Sequence, residues 1–267
     1  MTIEPGLSTD LTGLHALVCG ASSGIGRAVA LSLASQGCQV SALARSADKL
    51  ADLVSDLEAA GKQVARAVVA DLDDRDGLDD IVRGHLLDVG PVHILINNTG
   101  GPPSGPLLDA DDGAFLSAFG RHVLASHRLL KLVLPGMKSA GYGRIINIVS
   151  TSVREPIPNL GVSNTIRGAV ASWAKSLSGE LPPGVTINNV LPGYTDTDRL
   201  GSLAESVASR LGSSVETVHE DWLSQIPEGR LARPEEPAAL VAFLVSPSGA
   251  YIRGQSIAVD GGRLRSI

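Results

Sequence analysis

Short apolar runs alternate with longer amphipathic stretches along nearly the whole chain. The runs Leu14–Cys19, Gln39–Ala44, Gln63–Val69, His93–Asn97, Arg144–Val149, Thr186–Leu191 and Gln255–Val259 predict seven strands. Their Val, Ile, Leu and Ala residues are nearly continuous, as in parallel strands covered on both faces. Between them the spacing predicts helices over Gly24–Gln36, Ala47–Ala60, Leu78–Asp88, Ala114–Lys138, Leu160–Gly179 and Pro234–Val245. This alternation builds right-handed βαβ units, so a three-layer, doubly wound α/β fold with a seven-stranded parallel sheet is expected. No repeat, low-complexity tract or Pro/Gly-rich linker divides the chain. A single domain over 1–267 is expected, with an N-terminal extension over 1–10. The polar, Ser-rich segment Arg199–Glu228 reads as the least regular part.

Composition narrows the function classes. Hydrophobic residues are 43% and charged residues 19%, which is the balance of a folded globular protein rather than a disordered one. Net charge is −6 and no Lys/Arg run exceeds two residues, which argues against a nucleic-acid partner. No apolar stretch approaches the roughly 18–20 residues of a membrane span. Met1–Asp10 lacks the basic start and apolar core of a signal peptide. Cys19 and Cys38 offer neither a disulfide framework nor metal-ligand spacing, and Cys19 is expected as a buried small hydrophobe. A reducing, cytoplasmic setting is the expectation.

The first strand runs into Gly20-Ala21-Ser22-Ser23-Gly24-Ile25-Gly26 and then a helix. Glycines let the backbone turn tightly and approach a pyrophosphate, and the helix N-terminus offers unpaired N–H groups to that anion. A lone Gly-rich turn is weak evidence; the strand before it and the helix after it make it a dinucleotide signature. The second strand ends Ala44-Arg45-Ser46, with no Asp or Glu before Asp48. A guanidinium there suits the extra phosphate of NADP(H), where an acidic residue would bind the ribose of NAD(H). The competing reading is a solvated Arg45.

From these segments onward, Leu11 to Gly262 resembles the short-chain dehydrogenase/reductase family, and within it the 3-oxoacyl-ACP reductase-like members. Asp71-Leu72 resembles the pair that holds the adenine ring. Asn97-Asn98-Thr99-Gly100 resembles the family's Asn-Asn-Ala-Gly, with Thr99 for Ala. Pro192-Gly193-Tyr194-Thr195-Asp196-Thr197 resembles its Pro-Gly loop, whose backbone and threonines meet the nicotinamide carboxamide and the phosphates. Pro234-Glu235-Glu236 and Val259-Asp260-Gly261-Gly262 also fit. The resemblance implies a Rossmann fold, bound NADP(H) and a substrate lid over 199–228. It also implies a dimer or tetramer formed through the helices over 114–138 and 160–179.

The catalytic segment departs from the family pattern. The resemblance implies a Ser that polarises the carbonyl, a Tyr thirteen residues later that donates a proton, a Lys four beyond it on the ribose, and an Asn on the preceding long helix. Ser150 matches the first. Ser163 stands for the Tyr, Arg167 for the Lys and His122 for the Asn. No Tyr-x-x-x-Lys exists; the three tyrosines are Tyr142, Tyr194 and Tyr251.

Arg167 keeps a charge beside the nicotinamide and can bind ribose hydroxyls. An aliphatic hydroxyl at Ser163 is too weak an acid to donate a full proton at neutral pH, though Ser150 and Ser163 can stabilise a developing oxyanion. His122 is the first candidate proton source, through water, because an unperturbed imidazole titrates near 6.5; its bland alternative is a helix histidine bonded to a backbone carbonyl. Tyr194 is the second source. His127, five residues from His122, is expected on the surface, and Trp222 either packs the lid down or touches substrate. The leading expectation is an NADPH-dependent reductase of a small carbonyl compound, or the reverse alcohol dehydrogenase. The alternatives are a non-catalytic NADP(H)-binding sensor or partner subunit, and an isomerisation or dehydration without net redox change.

Overall fold

In a computed structural model, which describes residues 8–61, 63–74 and 76–266, seven parallel strands pair into one sheet. They are β1 (His15–Cys19), β2 (Gln39–Ala44), β3 (Arg66–Val69), β4 (Ile94–Asn97), β5 (Gly143–Ile148), β6 (Val185–Pro192) and β7 (Ser256–Val259). Their order is β3-β2-β1-β4-β5-β6-β7. Strand order reverses between β1 and β4, which opens a crevice at their carboxyl ends. Most of the expected N-terminal extension lies outside the described residues.

Continuous apolar strands demand cover on both faces. On one face lie α1 (Gly24–Ser35), α2 (Ala47–Gly61) and α9 (Glu235–Val245), closing a core that includes Val18, Val29, Leu33, Ile96, Ile146 and Val241. On the other lie α3 (Gly77–Val89), α5 (Ala125–Ala140) and α6 (Gly161–Glu180), over Leu17, Leu95, Leu129, Val133, Ile145 and Ile187. No described helix is long and apolar enough to cross a membrane.

One polar feature interrupts this core. Asn97, Asn147, Asn189 and Ser256 stand opposite one another on β4, β5, β6 and β7. The Nδ2 of Asn97 donates to Oδ1 of Asn147 at 2.8 Å, and Asn147 donates in turn to Asn189 at 2.8 Å. Asn189 completes the row by donating to the Ser256 hydroxyl at 3.0 Å. Buried amides survive in a core only when paired, and each of these pairs the next.

Two expectations need correction. The predicted single helix over 114–138 begins earlier, at α4 (Asp112–Phe119), because the Asp111 carboxylate caps it by accepting from Ala114 N at 2.7 Å. It is then broken by a π turn over Gly120–Leu124 before α5 resumes. The segment 199–228, expected as irregular, holds α7 (Asp198–Leu211) and α8 (Val215–Ser224). Thr197 caps α7 by accepting from Leu200 N, Gly212 ends it in the left-handed region, and Ser214 caps α8 by accepting from Thr217 N. The serines that looked like loop lie on solvent faces, while Ala204, Ala208, Val218 and Trp222 form a small separate core with Tyr194.

Candidate active site

A cleft of about 690 Å³ opens along the carboxyl ends of the strands. Its first wall is the β1–α1 turn, with Gly20, Ser22, Ser23, Gly24 and Ile25. Gly20 and Gly24 both adopt positive φ, at +59° and +51°. A Cβ on Gly20 would stand 2.6 Å from the Asn98 carbonyl oxygen, so only glycine lets the turn close against β4. Asn98 secures that approach by donating to Gly20 O at 3.2 Å. Ser23 caps α1 in extended conformation without using its side chain, which leaves the first helical N–H groups open to an anion. Gly26, expected at the cofactor, is absent from the wall. It sits beneath the turn, where a Cβ would come within 2.1 Å of Gly20 O, so its role is packing.

The next part of the cleft is lined by Arg45, Ser46, Lys49, Asp71 and Leu72. The Arg45 side chain is 75% exposed and its Nη1 is 3.9 Å from Asp71, a loose pairing that leaves the guanidinium available. Lys49 adds a second cation that sequence reasoning missed. Arg121 also lines this region and is held by the Asp73 carboxylate on both its Nε and Nη2.

The innermost wall brings together Asn98, Thr99, Gly100, Ser150, Ser163, Arg167, Pro192, Gly193, Thr195 and Thr197. Ser150 lies just after β5, and its Oγ accepts from Ser152 N at 3.0 Å. The hydroxyl keeps its own proton to donate. On α6, Arg167 donates from Nη1 to Ile148 O at 2.8 Å, while its Nε is buried without a partner. Burial and the nearby Arg199 guanidinium lower its pKa to about 10, so it keeps its charge at neutral pH.

His122 is not on the cleft wall. It is buried in the π turn, with Nδ1 2.5 Å from the Thr99 hydroxyl, and Thr99 does line the cleft. Burial, with the charges of Arg167 and Arg121, pushes its pKa down to about 2. The imidazole is therefore neutral across the physiological range, not poised near 6.5 as the sequence suggested. Tyr194 is on the wall, stacked on Trp222 with ring centroids 4.8 Å apart and topped by the Arg263 guanidinium. Its burial raises the phenol pKa, and Trp222 packs the α7–α8 pair down instead of reaching the cleft. His127 is exposed beside Trp173.

The geometry fits a dinucleotide laid from Arg45 to Pro192, and the comparisons agree with it. The family profile described as Enoyl-(Acyl carrier protein) reductase matches residues 20–263. The NADPH-dependent reductase BacG of Bacillus subtilis is 33% identical over 254 residues, covering 94% of this chain and 98% of that protein. The 3-oxoacyl-[acyl-carrier-protein] reductase FabG of Vibrio cholerae is 34% identical, covering 95% and 98%. Among solved structures, L-sorbose reductase from Gluconobacter frateurii, complexed with NADPH and L-sorbose, superposes with a TM-score of 0.90. It is 27% identical and covers 97% of this chain and 99% of that one. With this sheet order, this cleft and these relatives, the chain belongs to the short-chain dehydrogenase/reductase family.

Proposed function

We propose that the protein is an NADP(H)-dependent oxidoreductase that reduces a small carbonyl compound, or oxidises the corresponding alcohol, without a tyrosine acid. One observation carries this reading: Ser150, Ser163 and Arg167 converge on the inner end of a cleft whose outer end presents Arg45 and Lys49. When bound, NADPH supplies a hydride to the carbonyl carbon. Arg45 and Ser46 hold the 2′-phosphate, the open N-terminus of α1 holds the diphosphate, and Asp71 with Leu72 flanks the adenine. The Thr195 and Thr197 hydroxyls face the nicotinamide half.

Within that frame the chain's own groups act on the substrate oxygen. Ser150 donates its hydroxyl proton in a hydrogen bond, Ser163 provides a second donor, and the Arg167 cation stabilises the negative charge that develops there. Arg167 also holds the ribose through its free N–H groups. No side chain here is a strong acid near neutrality, so the alkoxide takes its proton from cleft water. His122, neutral and bonded to the Gly100 backbone, fixes the Thr99 hydroxyl at the cleft wall and never serves as a charged reservoir. The wall residues Ser150, Ser163 and Arg167 touch substrate or cofactor; His122 acts through Thr99 and is a positioning residue.

The second reading is a non-catalytic NADP(H)-binding sensor, favoured by Ser163 standing where the family has its tyrosine. Steady-state oxidation of NADPH against a panel of ketones, aldehydes and quinones separates the two. Turnover that Ser150→Ala abolishes supports the reductase, and tight NADPH binding with no turnover supports the sensor. We also read the chain as one domain whose lid is α7 with α8, assembling as a homodimer or homotetramer through α4–α5 and α6. Leu116 and Phe119 stand exposed on α4 at 68% and 39%, in keeping with a covered surface there. Light scattering tests that assembly.

A further inference from the structure

Three guanidinium groups from distant parts of the chain line the same cleft. Arg167 comes from α6, Arg199 from the first turn of α7, and Arg263 from the segment after β7, and all three line the wall with Ser150 and Ser163. Gly101 sits between two of them: a Cβ there would lie 3.2 Å from Arg199 Nη2 and 3.7 Å from Arg167 Nη2. Arg199 is anchored by donating from Nη2 to Pro102 O at 2.8 Å. Arg263 reaches Thr151 Oγ1 at 3.5 Å, with its carbon 4.9 Å from the centroid of the Tyr194 ring.

None of the three is in an ion pair, although Arg263 is answered in part by the Tyr194 ring beneath it and by the field of the Glu155 carboxylate. Ion pairs among the described residues engage Arg27, Arg45, Arg121 and Arg230, not these three. Asp198 lines the same cleft without pairing with Arg199. The Nε of Arg167 and of Arg263 is buried with no partner. Like charges facing one another beside low-dielectric walls repel, and buried guanidinium donors cost free energy unless something accepts from them. In a chain of net charge −6, such a cluster is against the general trend.

The cofactor's anionic groups already have hosts, at the N-terminus of α1 and at Arg45, Ser46 and Lys49. We propose that Arg199 and Arg263, backed by the charge of Arg167, form an anion subsite, and that the substrate is a carbonyl compound bearing a carboxylate, an oxo acid. The inference rests on the reductase reading and names its substrate class. Ser150 and Ser163 hold the carbonyl oxygen while the planar carboxylate accepts from the forked N–H groups of Arg199 and Arg263.

The test compares benzoylformate and acetoacetate with their methyl esters, and with acetonylphosphonate, as substrates for NADPH oxidation. In parallel, benzoylformate is titrated calorimetrically into protein saturated with NADP+. The wild type is expected to prefer acid over ester in kcat/KM. Arg199→Met and Arg263→Met are expected to lower that preference about ten- to a hundred-fold, the range for a lost charge-assisted pair. Arg199→Lys keeps the charge without the fork and is expected to recover part of it. Melting curves establish that each variant is folded.

Esters reduced as well as acids overturn the subsite and leave the reductase standing. Arg199-dependent binding of benzoylformate without turnover of any carbonyl supports the subsite and removes the reductase reading. A phosphonate preferred over acetoacetate overturns the carboxylate assignment. Equal loss of NADPH affinity in the Arg199 variant assigns that residue to the cofactor and overturns the proposal, as does benzoylformate that neither binds nor reacts.

Discussion

The Thr99 hydroxyl and Nδ1 of His122 stand 2.5 Å apart, one residue on the cleft wall and the other buried behind it. The two are the side chains that the family resemblance sets against its Ala and Asn, and the contact between them links the two positions. The π turn carries His122 inward, and Ser126 Oγ donates to the His122 carbonyl at 2.7 Å, tying down backbone that a π turn leaves irregular. Removing the link with Thr99→Ala is expected to lower kcat several-fold with little change in KM. The solvent deuterium isotope effect should change with it, which a purely structural role would leave alone. His122→Asn, which restores the residue implied by the family resemblance, is expected to recover part of the rate.

The pH profile separates a positioning residue from a proton reservoir. With its pKa pushed down to about 2, His122 carries no proton to lose through the neutral range. The pH dependence of kcat is therefore expected to show no inflection near 6.5 that disappears in His122→Ala. An inflection there that the variant removes would show the imidazole charging in the working enzyme.

Ser150 carries a hydroxyl on the cleft wall that also caps the following turn by accepting from Ser152 N. Ser150→Ala removes the proposed oxyanion donor together with that cap, so melting curves accompany the kinetics. The expected cost is about 10²–10³ in kcat, the range for one lost oxyanion donor. Stopped-flow traces under single-turnover conditions, in which the hydride step is isolated, measure it.

In the proposed reading, cofactor choice rests on an exposed cation. Arg45 is 75% exposed and only loosely engaged by Asp71. Arg45→Asp is expected to weaken NADPH by at least about tenfold and to improve NADH relative to it, through lost attraction to the 2′-phosphate and gained acceptance of the 2′-hydroxyl. Equal weakening of both dinucleotides, measured by fluorescence titration, would contradict the assignment.

The strands were legible because apolar runs flanked by glycine and polar residues have few ways to be read, and β2 matches its expected bounds. The β1–α1 turn was readable from its glycines and the 192–197 loop from the family resemblance, and both line the cleft. The α7–α8 pair was not, since serines on a solvent face look the same as serines in a loop until the caps at Thr197 and Ser214 are weighed. The arginine cluster was invisible for another reason. Arg167, Arg199 and Arg263 are far apart in sequence, only Arg167 stood out alone, and the winding of the sheet brings all three to one cleft. For His122, position was readable and acidity was not, because burial set the pKa.

At the opposite end of the sheet a buried histidine cluster resists protonation. His15 and His85 both place Nε2 2.7 Å from the Ser41 hydroxyl, and His93 Nδ1 accepts from His15 N at 3.2 Å. Burial, reinforced by the His85 charge, lowers the His15 pKa to about 4; burial also lowers those of His85 and His93. Asp88 raises His85 and Arg66 lowers it, without reversing the direction. The unfolded chain binds protons at these sites from about 6.5 downward, whereas the folded chain resists them. Stability is therefore expected to be full above pH 6.5 and to fall between there and pH 4, by about 1.4 kcal/mol per pH unit for His15 alone. Urea midpoints taken from about pH 7 down to pH 5 measure the slope. His15→Gln is expected to flatten that slope by close to one proton, whatever constant offset the substitution adds at neutral pH. A slope unchanged in the variant would place the acid sensitivity elsewhere, with the buried His122 as the next group to replace.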